Sequence, residues 1–268
     1  MAQNDLSHCF LIMKLSPNAV RTPTPWFVLR SLVSQALGRS NQIIQSYRKD
    51  RISHVDLEQD IRLLVPKKDP LLIDVGANAG QTVHMFKRLF ERPVIHAFEP
   101  NRSLVGGQLA AAFGQDKNVM LNAAGLGAQE GTLTLHQFEK DQMSSFLPME
   151  RGKRNPYADE AVVASCEVPV WTLDHYAKKH GLGKIDLLKT DTQGYDLQVL
   201  LGAEEQLASG NIGLIMLEIN FIPLYVGQPA FGELDAFLRK RGYALVDLYE
   251  KIWVENRIAW CNGLYQKI

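Results

Sequence analysis

From Leu71 onward, short apolar runs alternate with longer stretches in which apolar residues recur every three or four positions. PLLIDV, RPVIHAF, NVMLNAA, KIDLLKTD and IGLIMLEI have the length of buried strands, and IGLIMLEI is apolar enough to be covered on both faces. Between these runs, Ala79 to Phe90 predicts a helix with Val83, Phe86 and Leu89/Phe90 on one face. NRSLVGGQLAAAF predicts a helix weakened by its two central glycines. Residues 195–208 predict a helix burying Leu197, Leu200, Leu201 and Leu207. FGELDAFLRKRG predicts another, burying Phe231, Leu234, Phe237 and Leu238, with Gly242 at its C′ position. GTLTLHQF alternates and opens a hairpin excursion, the polar segment 139–165 reads as a long loop or lid, and YALVDLY and IAWCNGLYQ close the chain as strands. Alternation of this kind implies an α/β fold, a mostly parallel sheet with helices on both faces.

Residues 1–65 differ. SPNAVRTPTP is proline-rich, and two helical pieces follow, WFVLRSLVSQAL and DLEQDIRLLV, the second ended by Pro66. This division predicts a helical or irregular extension over 1–65 and one domain over 66–268. The apolar run CFLIM is too short for a signal-peptide core or a membrane span. Three cysteines, Cys9, Cys166 and Cys261, lie far apart in no metal-like spacing, which argues for a reducing compartment and a cytoplasmic protein. Among 268 residues, 29 lysines and arginines balance 29 aspartates and glutamates, so the chain lacks the cationic surplus that nucleic acid binding draws on.

In an open α/β sheet, ligands bind beyond the carboxyl ends of the strands where strand order reverses. The first such end reads LLIDVGANAGQT. Gly76 and Gly80 permit close backbone approach or backbone angles closed to other residues. The second glycine of a dinucleotide fingerprint is replaced by Asn78, so the turn suits a nucleoside without phosphates better than NAD. The next strand ends HAFEP, which places Glu99 where ribose hydroxyls are captured. Asn122 to Ala124, at the end of the third strand, are positioned to line an adenine pocket. Asp74, facing a sulfonium or amino acid group, would complete a site for S-adenosylmethionine. The expected cofactor contacts are thus Asp74, Gly76, Asn78, Gly80, Gln81, Thr82, Glu99, Asn122 and Ala124.

IDVGANAGQT, HAFEP, NAAG, MSSFLP, VPVWTLDHY, IDLLKTDTQGYDLQVLLGA and EINFIPLYVGQ resemble, in the same order, the blocks of the FkbM family of S-adenosylmethionine-dependent methyltransferases. The likeness runs from about Asp56 to the C-terminus. It implies a class I methyltransferase fold, a seven-stranded Rossmann-like sheet whose last strand is antiparallel, with the cofactor at the tips of the first strands. It also implies O-methylation of a hydroxyl on a sugar, glycan, glycolipid or secondary metabolite. KTDTQGYD departs from the pattern, with Gln193 and Asp196 where many members carry glutamates.

Methyl transfer is an in-line displacement at a sulfonium, so alignment is the main task, and an alcohol nucleophile gains from a base or a metal. Asp191 ends the fourth strand. Glu218 and Asn220 end the fifth, with side chains on one face. These three oxygen-bearing residues form a candidate Mg²⁺ site, and Asp191 is the first candidate for a direct role in the chemistry. His136, at the hairpin, is the reachable histidine base, whereas His96 lies inside a strand. Ser144 and Ser145 resemble the family's serine pair and are candidates for cofactor or substrate hydroxyls. Trp171, Tyr225, Trp253 and Trp260 could stack on a sugar or simply pack. The competing readings are a nicotinamide-dependent oxidoreductase with a degraded phosphate loop and a non-catalytic module that keeps only the fold. A homo-oligomer is compatible with each.

Overall fold

The computed structural model describes residues 52–268. The expectations for the proline-rich lead and for a helix in WFVLRSLVSQAL lie outside the described residues. The described chain opens with α1 (Leu57–Leu64), whose first turn is capped by the Asp56 carboxylate accepting from Gln59 N. Leu57 and Ile61 of this helix, with Val65 beyond it, pack into the same apolar cluster as Leu72, Val83 and Phe86.

The elements then follow in order: β1 (Leu71–Val75), α2 (Gln81–Leu89), β2 (Val94–Phe98), helix α3 over 102–113, β3 (Val119–Asn122), β4 (Gly125–Leu126), β5 (Gly131–Phe138), β6 (Val162–Trp171), α4 (Leu173–His180), β7 (Ile185–Thr190), α5 (Asp196–Leu201), α6 (Glu204–Ala208), β8 (Ile212–Asn220), α7 (Phe231–Arg239), β9 (Tyr243–Val254) and β10 (Arg257–Lys267). Seven strands form one sheet in the order β3-β2-β1-β7-β8-β10-β9. The pairs from β3 to β8 are parallel, and β10, the last strand in sequence, runs antiparallel to both neighbours. This is the class I methyltransferase arrangement that the family resemblance implies. Strand order reverses between β1 and β7, so the ends of those two strands mark the crevice. β4, β6 and β5 form a separate three-stranded sheet.

Apolar side chains from both faces of the main sheet form two clusters. Ile73, Leu188, Ile215 and Leu217 face one way, and Leu72, Leu187, Leu214 and Met216 the other. Such double coverage is what continuous apolar strands require.

Four local expectations change. In α3, residues Val105–Leu109 form a π-helical turn centred on the Gly106–Gly107 pair, so the glycines loosen the helix without ending it. The helix expected over 195–208 breaks at Gly202, where a Cβ would lie 1.9 Å from the carbonyl oxygen of Gly127. Leu201 faces outward (39% exposed), and Val199 and Ala203 join Leu200 and Leu207 inside. Phe231 and Phe237 are only half-buried on α7, where Leu234 and Leu238 carry the burial. The end of the segment read as a lid, 162–165, belongs to β6, whose side chains are exposed as far as Glu167, so no apolar alternation betrayed a strand.

The remainder of that segment is stitched down rather than free. Val226 N donates to Pro148 O at 2.8 Å and Glu150 N to Leu224 O at 2.8 Å. The Asn155 amide donates to Glu150 O at 2.6 Å and Leu224 O at 3.1 Å.

Candidate active site

At the carboxyl ends of β1, β2 and β7 lies a cleft of about 340 Å³. This is within the usual size of small-molecule sites. Its floor is the turn after β1. Gly76 N and Ala77 N both donate to Phe98 O, at 2.9 and 3.0 Å, which ties the turn to β2. Asn78 adopts a left-handed φ of +46°, and its N–H donates to Glu99 Oε2 at 2.8 Å while Asn101 N donates to Glu99 Oε1 at 2.8 Å. Each carboxylate oxygen keeps free lone-pair capacity, so Glu99 is held rigidly as an acceptor at the cleft wall. Burial pushes its carboxyl up to about 6, against the two backbone N–H bonds that favour the ionised form.

Below the turn is a buried ion pair that bears on everything above it. Lys189 Nζ lies 3.0 Å from Asp74 Oδ1, with the two side chains 4% and 0% exposed. Nζ also donates to Gly76 O at 2.8 Å and stands 3.9 Å from Asp191 Oδ2. Burial disfavours the ammonium, but Asp74 and Asp191 outweigh it and hold Lys189 above the ordinary lysine range. Asp191 itself reaches the cleft with 37% of its side chain exposed. Glu218 lines the same wall, its carboxyl raised well above the ordinary range by desolvation and by the charges of Asp191 and Asp196.

The roof comes from the excursion between β5 and β6. Ser144, Ser145 and Phe146 line the cleft from that side, together with Leu126 and Leu135. Ser145 Oγ donates to Gln193 O at 2.7 Å and accepts from Leu147 N at 3.0 Å. Ser144 Oγ is buried without a partner. A buried hydroxyl without a protein partner is a place for a ligand's polar group.

The family model for the methyltransferase FkbM domain matches residues 74–245. The chain belongs to the FkbM family of S-adenosylmethionine-dependent methyltransferases. The 2-O-methyltransferase NoeI of Sinorhizobium fredii is 24% identical over 196 residues, covering 71% of this chain and 79% of NoeI. The methyltransferase sdnD of Sordaria araneosa is 30% identical over 169 residues, covering 52% of this chain and 62% of its own length. Among solved structures, an rRNA methylase from Streptococcus thermophilus is similar at 13% identity and a TM-score of 0.44, covering 81% of this chain and 97% of that one.

In this FkbM chain the residues fit a nucleoside-bearing cofactor. The carboxylate of Glu99 is set to accept hydroxyl donors, Asn78, Gln81 and Thr82 line the cleft with it, and so does Ser144, whose buried hydroxyl has no partner. Five of the nine expected cofactor contacts, Gly76, Asn78, Gln81, Thr82 and Glu99, therefore lie on the cleft, with Ser144, Ser145, Asp191 and Glu218 around it.

The other expected contacts do not line it. Asp74 lies beneath the turn, engaged with Lys189. Gly80 serves packing: a Cβ there would lie 2.6 Å from the Phe113 ring. Asn122 turns back, donating to Ala97 O at 3.1 Å and Met120 O at 3.2 Å and accepting from Tyr176 OH. Ala124 is fully buried, and Gly125 and Leu126 line the wall instead. His136 does not reach the cleft: strand alternation gives that face to Leu135, and the His136 ring lies 3.4 Å from Ser165 Oγ.

Magnesium does not fit the candidate ligands as arranged. Gln193 Nε2 donates to Asp191 Oδ1 at 2.8 Å and to Glu218 Oε2 at 3.2 Å, and Asn220 Nδ2 lies 3.3 Å from the same Glu218 oxygen. Amide N–H groups thus face the carboxylates where a hard cation would need oxygens. Among the described residues no group of three His, Cys, Asp or Glu side chains converges. Asp191, Glu218 and Asn220 are brought together, but by hydrogen bonds.

Of the four aromatic candidates, Tyr225 is buried, with its hydroxyl on Met143 O and Gln193 Oε1. Trp171 stacks on Tyr176, and Trp260 packs with Tyr157. Trp253 is 58% exposed.

Lys189 is absent from the site residues expected from the sequence. Its signal was present: a lysine inside the short strand run IDLLKT, where a buried charge is rarely tolerated unpaired.

A test of the cofactor wall follows from Glu99. Its ionised form is the better acceptor for a ribose diol, so affinity for S-adenosylhomocysteine is expected to fall as pH drops through about 6. Glu99→Ala is expected to weaken binding at least about tenfold at pH 8, since hydrogen bonds to a charged group are lost, and to flatten the pH dependence. Isothermal titration at pH 5, 6, 7 and 8 measures both.

Proposed function

We propose that the chain transfers a methyl group from S-adenosylmethionine to a hydroxyl of a sugar, glycan, glycolipid or secondary metabolite in the cytoplasm. The observation that carries this reading is the Asp191 carboxylate, partly exposed in the cleft at the switch point between β1 and β7 and backed by the Lys189 ammonium. When bound, S-adenosylmethionine supplies an electrophilic methyl group on a sulfonium sulfur. The chain's part is alignment and proton acceptance. Glu99, Asn78, Gln81 and Thr82 hold the nucleoside end, and Ser144 offers its free hydroxyl to the cofactor or acceptor. Asp191 accepts the proton of the acceptor hydroxyl, with the Lys189 ammonium 3.9 Å behind it.

Support for an oxygen acceptor comes from the relative NoeI, which is a 2-O-methyltransferase. The balanced charge of the chain accords with a small-molecule or glycan acceptor rather than nucleic acid. No described helix is long and apolar enough to cross a membrane.

The test is calorimetric titration with S-adenosylmethionine, with NAD as control, followed by an acceptor panel assayed by S-adenosylhomocysteine release. Binding of S-adenosylmethionine alone, with turnover on a hydroxylated acceptor, is expected. Asp191→Asn is expected to lower kcat by roughly 10²–10⁴-fold, the usual worth of a positioned base, with cofactor affinity little changed. Full activity in that variant would remove Asp191 from the chemistry.

A further inference from the structure

Two carboxylates facing one cleft repel each other, and proteins commonly settle such a pair with a cation or a proton. Here a third group lies between Asp191 and Glu218. Gln193 is reached through an uncommon backbone: its φ is +53°, and Gly194 follows at +87°. A non-glycine residue in the left-handed region costs of order 1 kcal/mol and collects where a side chain must be aimed. The conformation is fixed from outside, by Ser145 Oγ donating to Gln193 O at 2.7 Å. Around Gly194 a Cβ would meet Gln228 at 3.1 Å and Tyr225 at 3.2 Å.

The amide so aimed touches three partners. Nε2 donates to Asp191 Oδ1 at 2.8 Å and Glu218 Oε2 at 3.2 Å, while Oε1 lies 2.8 Å from Tyr225 OH. Its two N–H groups match two acceptors. Tyr225 has one proton for two carbonyl oxygens, since Met143 O lies 2.9 Å away. Reversing the amide would satisfy Tyr225 completely but set an amide oxygen against both carboxylates. That arrangement needs a cation or a carboxyl proton among the three oxygens.

We infer that Gln193 is a positioning residue that takes the place of a divalent cation, clamping Asp191 and Glu218 through its two amide protons. The methyl transfer proposed above, on which this rests, then runs without a metal. Gln193→Glu exchanges the NH₂ group for an oxygen, so it removes both donors and adds a third carboxylate, with the Asn220 carbonyl oxygen, buried and unpartnered, close by. The substitution is therefore expected to open a cation site that the natural residue closes.

The experiment uses Mn²⁺ as probe, followed by electron paramagnetic resonance on the full chain, with S-adenosylhomocysteine titrated calorimetrically in parallel. The natural protein is expected to bind no Mn²⁺ saturably. Gln193→Glu is expected to bind it saturably, at concentrations at least about tenfold below the highest at which the natural protein shows no binding, because ligand charge sets such affinities. Gln193→Glu/Glu218→Gln is expected to lose that gain. Saturable Mn²⁺ binding by the natural protein that disappears in Glu218→Gln would overturn the inference, since the amide would then stand reversed around a cation. A folded Gln193→Glu that gains no Mn²⁺ would overturn it too. If that variant fails to fold, the natural protein and Glu218→Gln decide. Loss of S-adenosylhomocysteine binding in the natural protein speaks instead against the methyltransferase reading, so the two failures are distinct.

Discussion

Replacing Lys189 by methionine is expected to destabilise the fold by about 3–5 kcal/mol, the usual cost of leaving a buried charge without its partner. Asp74 and Lys189 are register partners on the parallel strands β1 and β7, and both are buried. The carboxyl of Asp74 is already raised by burial, with Lys189 the main opposing influence. Without the ammonium it should rise further, so that the neutral carboxyl becomes the favoured form over a wider span of pH. A carboxyl whose folded value exceeds its unfolded value contributes stability that is present at low pH and lost as pH rises. The deficit of Lys189→Met relative to the natural protein should therefore be smaller at pH 5 than at pH 8 in urea unfolding. Asp74→Asn/Lys189→Met, which removes both charges, should recover most of the loss and its pH dependence. A deficit equal in the single and double variants and flat with pH would mean that the pair is not what holds the two strand ends.

How much of this was legible beforehand depended on which surface each residue faces. Strands such as IGLIMLEI and KIDLLKTD, covered on both sides, announce themselves by unbroken apolar runs. β6 did not, because its first six side chains are exposed and only Val168 and Val170 are buried. The helix over 195–208 has good periodicity, yet Gly202 ends it through a contact with Gly127, about 75 residues distant in sequence, that no local pattern contains.

The site shows the same division. Glu99 and Asp191 were expected at the crevice from strand-tip position alone, and both line the cleft. Asp74 and Asn122 do sit at strand ends but engage Lys189 and Ala97 O rather than line the cleft, and Gly80 in the turn and His136 in the hairpin lie outside its lining too. A strand tip fixes where a residue is along the sheet, whereas side-chain direction decides whether it meets the ligand. Gln193 was visible as a departure from the family's glutamate. What it does instead became readable only with the left-handed backbone and the hydroxyl of Tyr225 in view.

Gly76→Ala separates the two meanings that a glycine at this turn can have. The sequence suggests room for a ligand. The structure gives a different reason: at φ +80°, a Cβ on residue 76 would lie 2.0 Å from the carbonyl oxygen of Asp191 and 3.0 Å from its carbonyl carbon. Asp191 N meanwhile donates to Val75 O at 3.0 Å, so the ends of β1 and β7 are bonded where the methyl group would intrude. Neither backbone can yield without breaking those bonds, and alanine is itself strained at this φ. The expected outcome is a loss of roughly 3 kcal/mol or more in unfolding free energy, at the upper end for single substitutions. S-adenosylhomocysteine binding should be lost with it, because displacing Asp191 also moves the turn that presents Asn78 to Glu99. Gly106→Ala is the control: a Cβ there meets nothing within 4 Å, and alanine in a helix should stabilise by about 0.5–1 kcal/mol. If Gly76→Ala kept the natural stability and lost only cofactor binding, ligand approach would be the reason for the glycine. Joint loss of both places the requirement in the strand junction, with the binding turn inheriting its shape from the contact between Gly76 and Asp191.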